Sequence, residues 1–162
     1  VTGAYAALAP FTTRPQKHWP ETAWSALATR LRTEFDLAPL LLGSPVDRLA
    51  AQRIAAGGAA VDLAGRTDIA TAAALVAGAR LVVGVDTGLT HMGVAAGVPT
   101  LALFGSTCPY LVAPGRPVRV LYHGLPCSPC KRSPTCAGRH PCLGDISVDE
   151  VLHAIPTEAL RA

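Results

Sequence analysis

Charge and aromatic rings are both scarce in this sequence: 15% of residues are charged and 5% are aromatic. The formal net charge is +3, and the basic residues, nearly all Arg, are scattered. No electrostatic stripe and no base-stacking surface emerges, which argues against nucleic acid as a partner. Long apolar runs are also missing. Arg80, Asp86 and the prolines interrupt them, so no segment of about 20 residues could span a bilayer. The first twenty residues lack a basic stretch followed by a long apolar core, so they do not read as a signal peptide, and the default compartment is cytoplasmic. Three familiar signatures are absent: G-x-G-x-x-G after a strand, G-x-x-x-x-G-K-[ST] and G-x-S-x-G. Nothing therefore points to the usual dinucleotide fingerprint, a P-loop or a serine hydrolase.

What is present is 162 residues, half of them apolar. That amounts to one domain with a core of its own, and it excludes a disordered chain. The sequence opens almost at once on an apolar strand without an initiator Met, as a piece of something longer would. Short apolar runs alternate with helical stretches, the pattern of βαβ units around a parallel sheet. The expected strands are Ala4–Ala9, Pro39–Leu42, Ala60–Leu63, Leu81–Val85, Thr100–Phe104 and Val118–Tyr122. Runs such as LVVGV and TLALF suit strands covered on both faces.

Five helices are expected between and after the strands. The first opens at Pro20–Glu21 and buries a stripe of Trp24, Leu27, Ala28, Leu31 and Phe35. The second spans Val46–Ala56 and stops at Gly57–Gly58. The third spans Asp68–Ala77 with Thr67 as its cap. The fourth runs from Gly88 to Gly97. The fifth, Val148–Ile155, is opened by Ser147 and Glu150 as a capping box. Residues 105–144, rich in Pro, Gly, Cys and Arg, read as a long irregular segment over one side of the sheet.

Three strand-to-helix junctions carry candidate chemistry, because ligands gather at the carboxyl ends of parallel strands. In LVVGVDTGLTH, Asp86, Thr87 and Gly88 form the turn and His91 lies one helical turn on. The helix N–H groups favour an anion there, Gly88 allows close approach, and Thr87 and Thr90 can donate hydroxyl hydrogen bonds. The plainer alternatives are a helix-capping Asp86 and a surface or core His91. In FTTRPQKHWPE, Thr12, Thr13 and Lys17 follow the first strand and could cradle a phosphate; a solvated loop with Trp19 packed inward is the alternative. In LLLGSPVDR, Asp47 could bind ribose hydroxyls or merely favour a helix start.

Cys127, Cys130, Cys136 and Cys142 read C-x2-C-x5-C-x5-C. Four thiolates could close a structural zinc or iron–sulfur site, with no open position for catalysis. Free or oxidised thiols are the alternative. Cys108 stands apart and is expected to pack.

The stretches TTRPQKHWP, VDTGLTH with P-T-x-x-L-F-G-x-T after it, and the cysteine tail resemble the C-terminal half of glycosyltransferase family nine, the ADP-heptose:lipopolysaccharide heptosyltransferases. The first stretch is more similar to the first heptosyltransferase of the inner core, the tail to the second. The resemblance implies a Rossmann-like three-layer α/β sandwich with a mainly parallel sheet, one half of a GT-B enzyme. Residues 1–162 would form the nucleotide-sugar-binding domain, and the acceptor domain that carries the general base would lie outside the chain. It implies an ADP-sugar held by Thr12, Thr13, Lys17, Asp47, Asp86, Thr87, Gly88 and His91. Lys17 would stabilise the leaving group, and no cofactor would be needed for catalysis. The acceptor would be lipopolysaccharide core, with peripheral association of the intact enzyme at the inner face of the cytoplasmic membrane. Gly93 stands where the family more often has Ala, a change expected to be minor inside a helix. Two readings from other classes are a stand-alone nucleotide-sugar-binding domain without catalysis and a structural module built on a four-cysteine metal site.

Overall fold

A computed structural model describes residues 3–109 and 115–160. Among them the order is β1 (Tyr5–Ala9), α1 (Glu21–Phe35), β2 (Ala38–Leu41), α2 (Arg48–Ala55), β3 (Val61–Asp62), α3 (Ile69–Ala77), β4 (Leu81–Val85), α4 (Gly88–Ala96), β5 (Thr100–Leu103), β6 (Val118–Leu121), α5 (Pro141–Gly144) and α6 (Val148–His153). The strands form one sheet in the order β3-β2-β1-β4-β5-β6, every pair parallel. The chain winds outward from β1 in one direction and then from β4 in the other. The crevice of such a sheet opens where the order reverses, between β1 and β4. Both Thr12–Lys17 and Asp86–His91 emerge there.

The central strands are apolar because helices cover both faces. Ala6, Leu8, Leu41, Val83 and Leu101 belong to one core cluster with Trp24, Leu27 and Leu31 of α1. Ala7, Leu42, Val82 and Val76 of α3 form a smaller cluster. Phe35, expected in the buried stripe, is only partly buried at its end. Trp19 does pack inward. Its ring meets Trp24 edge-on at 5.0 Å, and its indole N–H donates to the Ile146 carbonyl at 2.8 Å. Arg30 of α1 bonds both Glu34 and Asp149, which ties α6 onto α1.

Several expected boundaries move, each for a local reason. The residue that caps α3 is Asp68, not Thr67: its Oδ1 accepts from the Thr71 N–H at 2.7 Å. The second helix is divided into a 3-10 turn at Pro45–Asp47 and an α-helix from Arg48, because Asp47 closes a capping box on Ser44. The Gly57–Gly58 stop holds, with Gly58 at φ +74 and its N–H on the Ala55 carbonyl. α6 starts at the expected capping box and ends at His153. The 105–144 segment holds the expected strand as β6 and, beyond expectation, the one-turn α5.

Gly93 is not a neutral position. A Cβ there would stand 2.9 Å from both Thr100 Oγ1 and Val82 Cγ2, so α4 lies against β4 and β5 at glycine distance. We expect Gly93→Ala to lower stability by about 1–3 kcal/mol through overpacking, read from a thermal or denaturant melt. An unchanged midpoint would show that α4 shifts freely on the sheet.

Candidate functional site

The carboxyl ends of β1 to β4 enclose a groove of about 550 Å³. Thr12 and Thr13 after β1, Asp47 after β2, and Thr87 and Gly88 after β4 all line it. Its remaining wall comes from Thr67, Asp68 and Ile69 after β3, which carry no site signal in the sequence. The strand is expected from the sequence; its place beside β2, which brings these residues to the groove, is not. Val46 and Ile69 are exposed apolar side chains at this groove, and Leu89 and Met92 add further apolar surface.

The features of the groove suit an anion. Thr87 caps α4 with extended backbone and no side-chain cap bond, so the first N–H groups of a nine-residue helix lack an internal partner. The space beside the Gly88 Cα is open: a methyl group placed there would meet no atom within 4 Å, so a ligand can approach the backbone. Asp47 Oδ2 accepts from the Ser44 N–H at 2.8 Å and its hydroxyl at 2.6 Å, so the helix-start role is real. Neither bond uses Oδ1, and Asp47 also lines the groove.

Lys17, Asp86 and His91 do not line this groove; they meet beside it. Lys17 Nζ donates to Asp86 Oδ2 at 2.6 Å and to the Asp86 carbonyl at 3.3 Å. His91 Nε2 stands 3.2 Å from Asp86 Oδ1. Asp86 is 8% exposed, Lys17 15% and His91 38%. Burial pushes the Asp86 carboxyl up. The Lys17 bond, the facing Thr107 hydroxyl, the His91 ring and the Lys17 charge together outweigh it, so its pKa lies below the ordinary carboxylate value. Asp86 is therefore a buried anion held by Lys17 and flanked by His91, not the cap of α4. Thr90 is not available to a ligand: it is buried, and its hydroxyl donates to the Val85 carbonyl at 2.7 Å. His18, beside Lys17, approaches the Thr12 carbonyl at 2.7 Å and steadies the threonine turn.

The five cysteines are free thiols. Cys108 is exposed, contrary to the expectation that it packs. Cys142 is buried, and its desolvation together with the nearby Cys130, Cys127 and Cys136 pushes its thiol pKa up. No group of three or more His, Cys, Asp or Glu among the described residues is placed to hold a metal ion. The loop also acts as a clamp: the Ser128 hydroxyl donates to the Gly105 carbonyl, and the Lys131 N–H to the Ser106 carbonyl.

A doubly wound parallel sheet with a groove at its switch point makes this an α/β domain of the kind that seats ligands at its strand ends. Comparison with known proteins narrows this. The profile of glycosyltransferase family 9 (heptosyltransferase) matches residues 2–139, and the chain belongs to that family. It is 43% identical over 126 residues to lipopolysaccharide heptosyltransferase 1 of Pseudomonas aeruginosa, a match covering 77% of this chain and 35% of that protein. Among solved structures, Escherichia coli ADP-heptose lps heptosyltransferase II superposes with a TM-score of 0.80 at 28% identity, covering 97% of this chain and 46% of that one. E. coli heptosyltransferase WaaC with ADP-2-deoxy-2-fluoro heptose gives 0.71 at 29% identity, covering 93% and 42%. The chain thus spans a third to a half of the length of these relatives.

Proposed function

We propose that residues 1–162 form the donor-binding domain of an inverting glycosyltransferase that moves heptose from ADP-heptose to the inner core of lipopolysaccharide. The observation that carries this reading is that one groove gathers Thr12, Thr13, Asp47, Thr87 and Gly88 from three strand ends. The Lys17–Asp86–His91 cluster stands beside it. In this reading the diphosphate lies across the threonine turn and the start of α4, Asp47 holds the ribose, and the adenine packs against the apolar side chains near Ile69. Asp86 and His91 face the sugar end, and Lys17 turns to the phosphate as charge builds on it. The general base and the acceptor site belong to a second domain across the cleft. No cofactor enters this chemistry. Among the described residues no helix is long and apolar enough to cross a membrane. Acting on a lipopolysaccharide precursor, the intact enzyme would work in the cytoplasm, at the inner face of the cytoplasmic membrane.

Calorimetry with ADP and GDP tests the donor assignment on this chain. We expect measurable heat with ADP in the micromolar-to-millimolar range, where complexes lie at about −8 to −4 kcal/mol, because half the cleft is absent. GDP should bind more weakly. No heat with either nucleotide at millimolar concentration would overturn the donor-site reading.

A further inference from the structure

Gln16 is a polar side chain that the fold buries outside the groove. It is 8% exposed, on a turn where Pro15 and His18 are exposed. Buried amides take partners. Gln16 Nε2 donates to the Lys131 carbonyl at 3.1 Å, across 115 residues of chain.

Lys131 is itself held. Its N–H donates to the Ser106 carbonyl at 2.6 Å, and its backbone sits in the left-handed region at φ +55. A non-glycine residue keeps that conformation only where its surroundings enforce it. Three residues earlier, the Ser128 hydroxyl donates to the Gly105 carbonyl. Gly105 lies so close to α5 that a Cβ there would stand 2.7 Å from Cys142 Sγ. The loop 128–131 is therefore fastened to the segment after β5 at two points. Gln16 fastens the turn after β1 to that loop.

Lys17 follows Gln16 in the same turn. Pro15–Lys17 is a single 3-10 turn, with the Lys17 N–H on the Arg14 carbonyl at 3.0 Å and the His18 N–H on the Pro15 carbonyl at 3.1 Å. With three residues per turn, successive side chains leave the axis about 120° apart. A Gln16 side chain pinned inward thus sets the direction in which Lys17 departs. Without donor the lysine is held twice, at its base by this turn and at its tip by Asp86 Oδ2 at 2.6 Å and the Asp86 carbonyl at 3.3 Å. A tip that turns to a diphosphate gives up the second hold. The first is then what keeps the ammonium aimed while charge develops.

We propose that Gln16 is a positioning residue of the donor site: its bond to the Lys131 carbonyl fixes the turn from which Lys17 reaches the leaving diphosphate. This rests on the donor-binding reading above. A group aimed at the reacting atoms loses rate steeply when it is displaced. The effect belongs in kcat, because the interaction strengthens only in the transition state.

The test is a double-substitution cycle in the full-length enzyme that carries this domain: Gln16→Leu, Lys17→Ala and the pair. In Gln16→Leu we expect kcat to fall about tenfold and the donor KM to change less than about twofold, the pattern of an interaction made only in the transition state. In the Lys17→Ala background the same substitution should change kcat by less than about twofold, since coupled residues do not add. Equal losses in both backgrounds would make Gln16 merely structural and overturn the proposal. An unchanged kcat in Gln16→Leu, or a rise in KM alone, would overturn it as well. Should Gln16→Leu fail to fold by circular dichroism, Gln16→Asn, one methylene short of the Lys131 carbonyl, is read in the same cycle. Failure of both to fold would make Gln16 a residue of the fold and end the proposal. Lys17→Ala alone separates the two levels. If it leaves kcat unchanged, the role of Lys17 falls and that of Gln16 with it; if it lowers kcat and the losses add, only Gln16 is removed.

Discussion

Lys17→Ala lowers kcat of the full-length enzyme by about 10²- to 10³-fold, the loss that follows removal of one preorganised donor aimed at developing charge. ADP affinity falls far less. The reason lies in where the ammonium spends its interaction. In the ligand-free chain it is committed to Asp86, so binding a ground-state diphosphate gains only the difference between two anionic partners. As the glycosidic bond breaks, a full additional charge collects on the leaving diphosphate, and the balance tips towards it. An interaction that strengthens only in the transition state raises kcat rather than affinity. Single-turnover rates and ADP calorimetry on the same variant separate the two. An unchanged rate would remove Lys17 from the mechanism, and equal losses in rate and affinity would make it a simple binding residue.

The layered sheet is legible in the sequence because its signals are local. Runs such as LVVGV and TLALF, alternating with helical stretches, suit parallel strands covered on both faces, and the structure puts them at β4 and β5. The turns after β1, β2 and β4 are likewise readable, since Thr, Asp and Gly at strand ends announce themselves one junction at a time. What is not legible depends on the distance between segments. Thr67–Ile69 completes the groove only because β3 pairs beside β2; the strand itself is expected from the sequence, but its neighbour in the sheet is not. Thr90 has the chemistry of a ligand donor, but the fold spends its hydroxyl on the Val85 carbonyl, five residues back. Gly93 reads as incidental because the tight approach of α4 to Val82 and Thr100 is invisible in a helical pattern. The cysteine spacing suggests metal ligands. In the fold, backbone and hydroxyl groups between those cysteines hold the segments after β1 and β5 together, a role the spacing does not announce.

Asp86→Ala discriminates between the two roles an acid at this junction can have. Were Asp86 the cap of α4, its loss would fray that helix. Thr87 occupies the cap position instead, and the Asp86 side chain points to Lys17 and His91. The helix content should therefore be unchanged, while kcat/KM falls by about 10²-fold as sugar recognition and the placement of Lys17 are lost together. Stability falls as well, by about 1–3 kcal/mol for a charged hydrogen-bonded group that is nearly buried. The pH dependence of that loss has a definite sign. Asp86 is held below its ordinary pKa in the folded chain, so its contribution is fully present above the unfolded value of about 3.9 and disappears as pH falls through the folded value. Melts of the two proteins should thus differ near neutral pH and converge in acid below that point. Curves that stay a constant distance apart down to about pH 2, below the unfolded carboxylate value, would show that the carboxylate charge is not what Lys17 and His91 are arranged around.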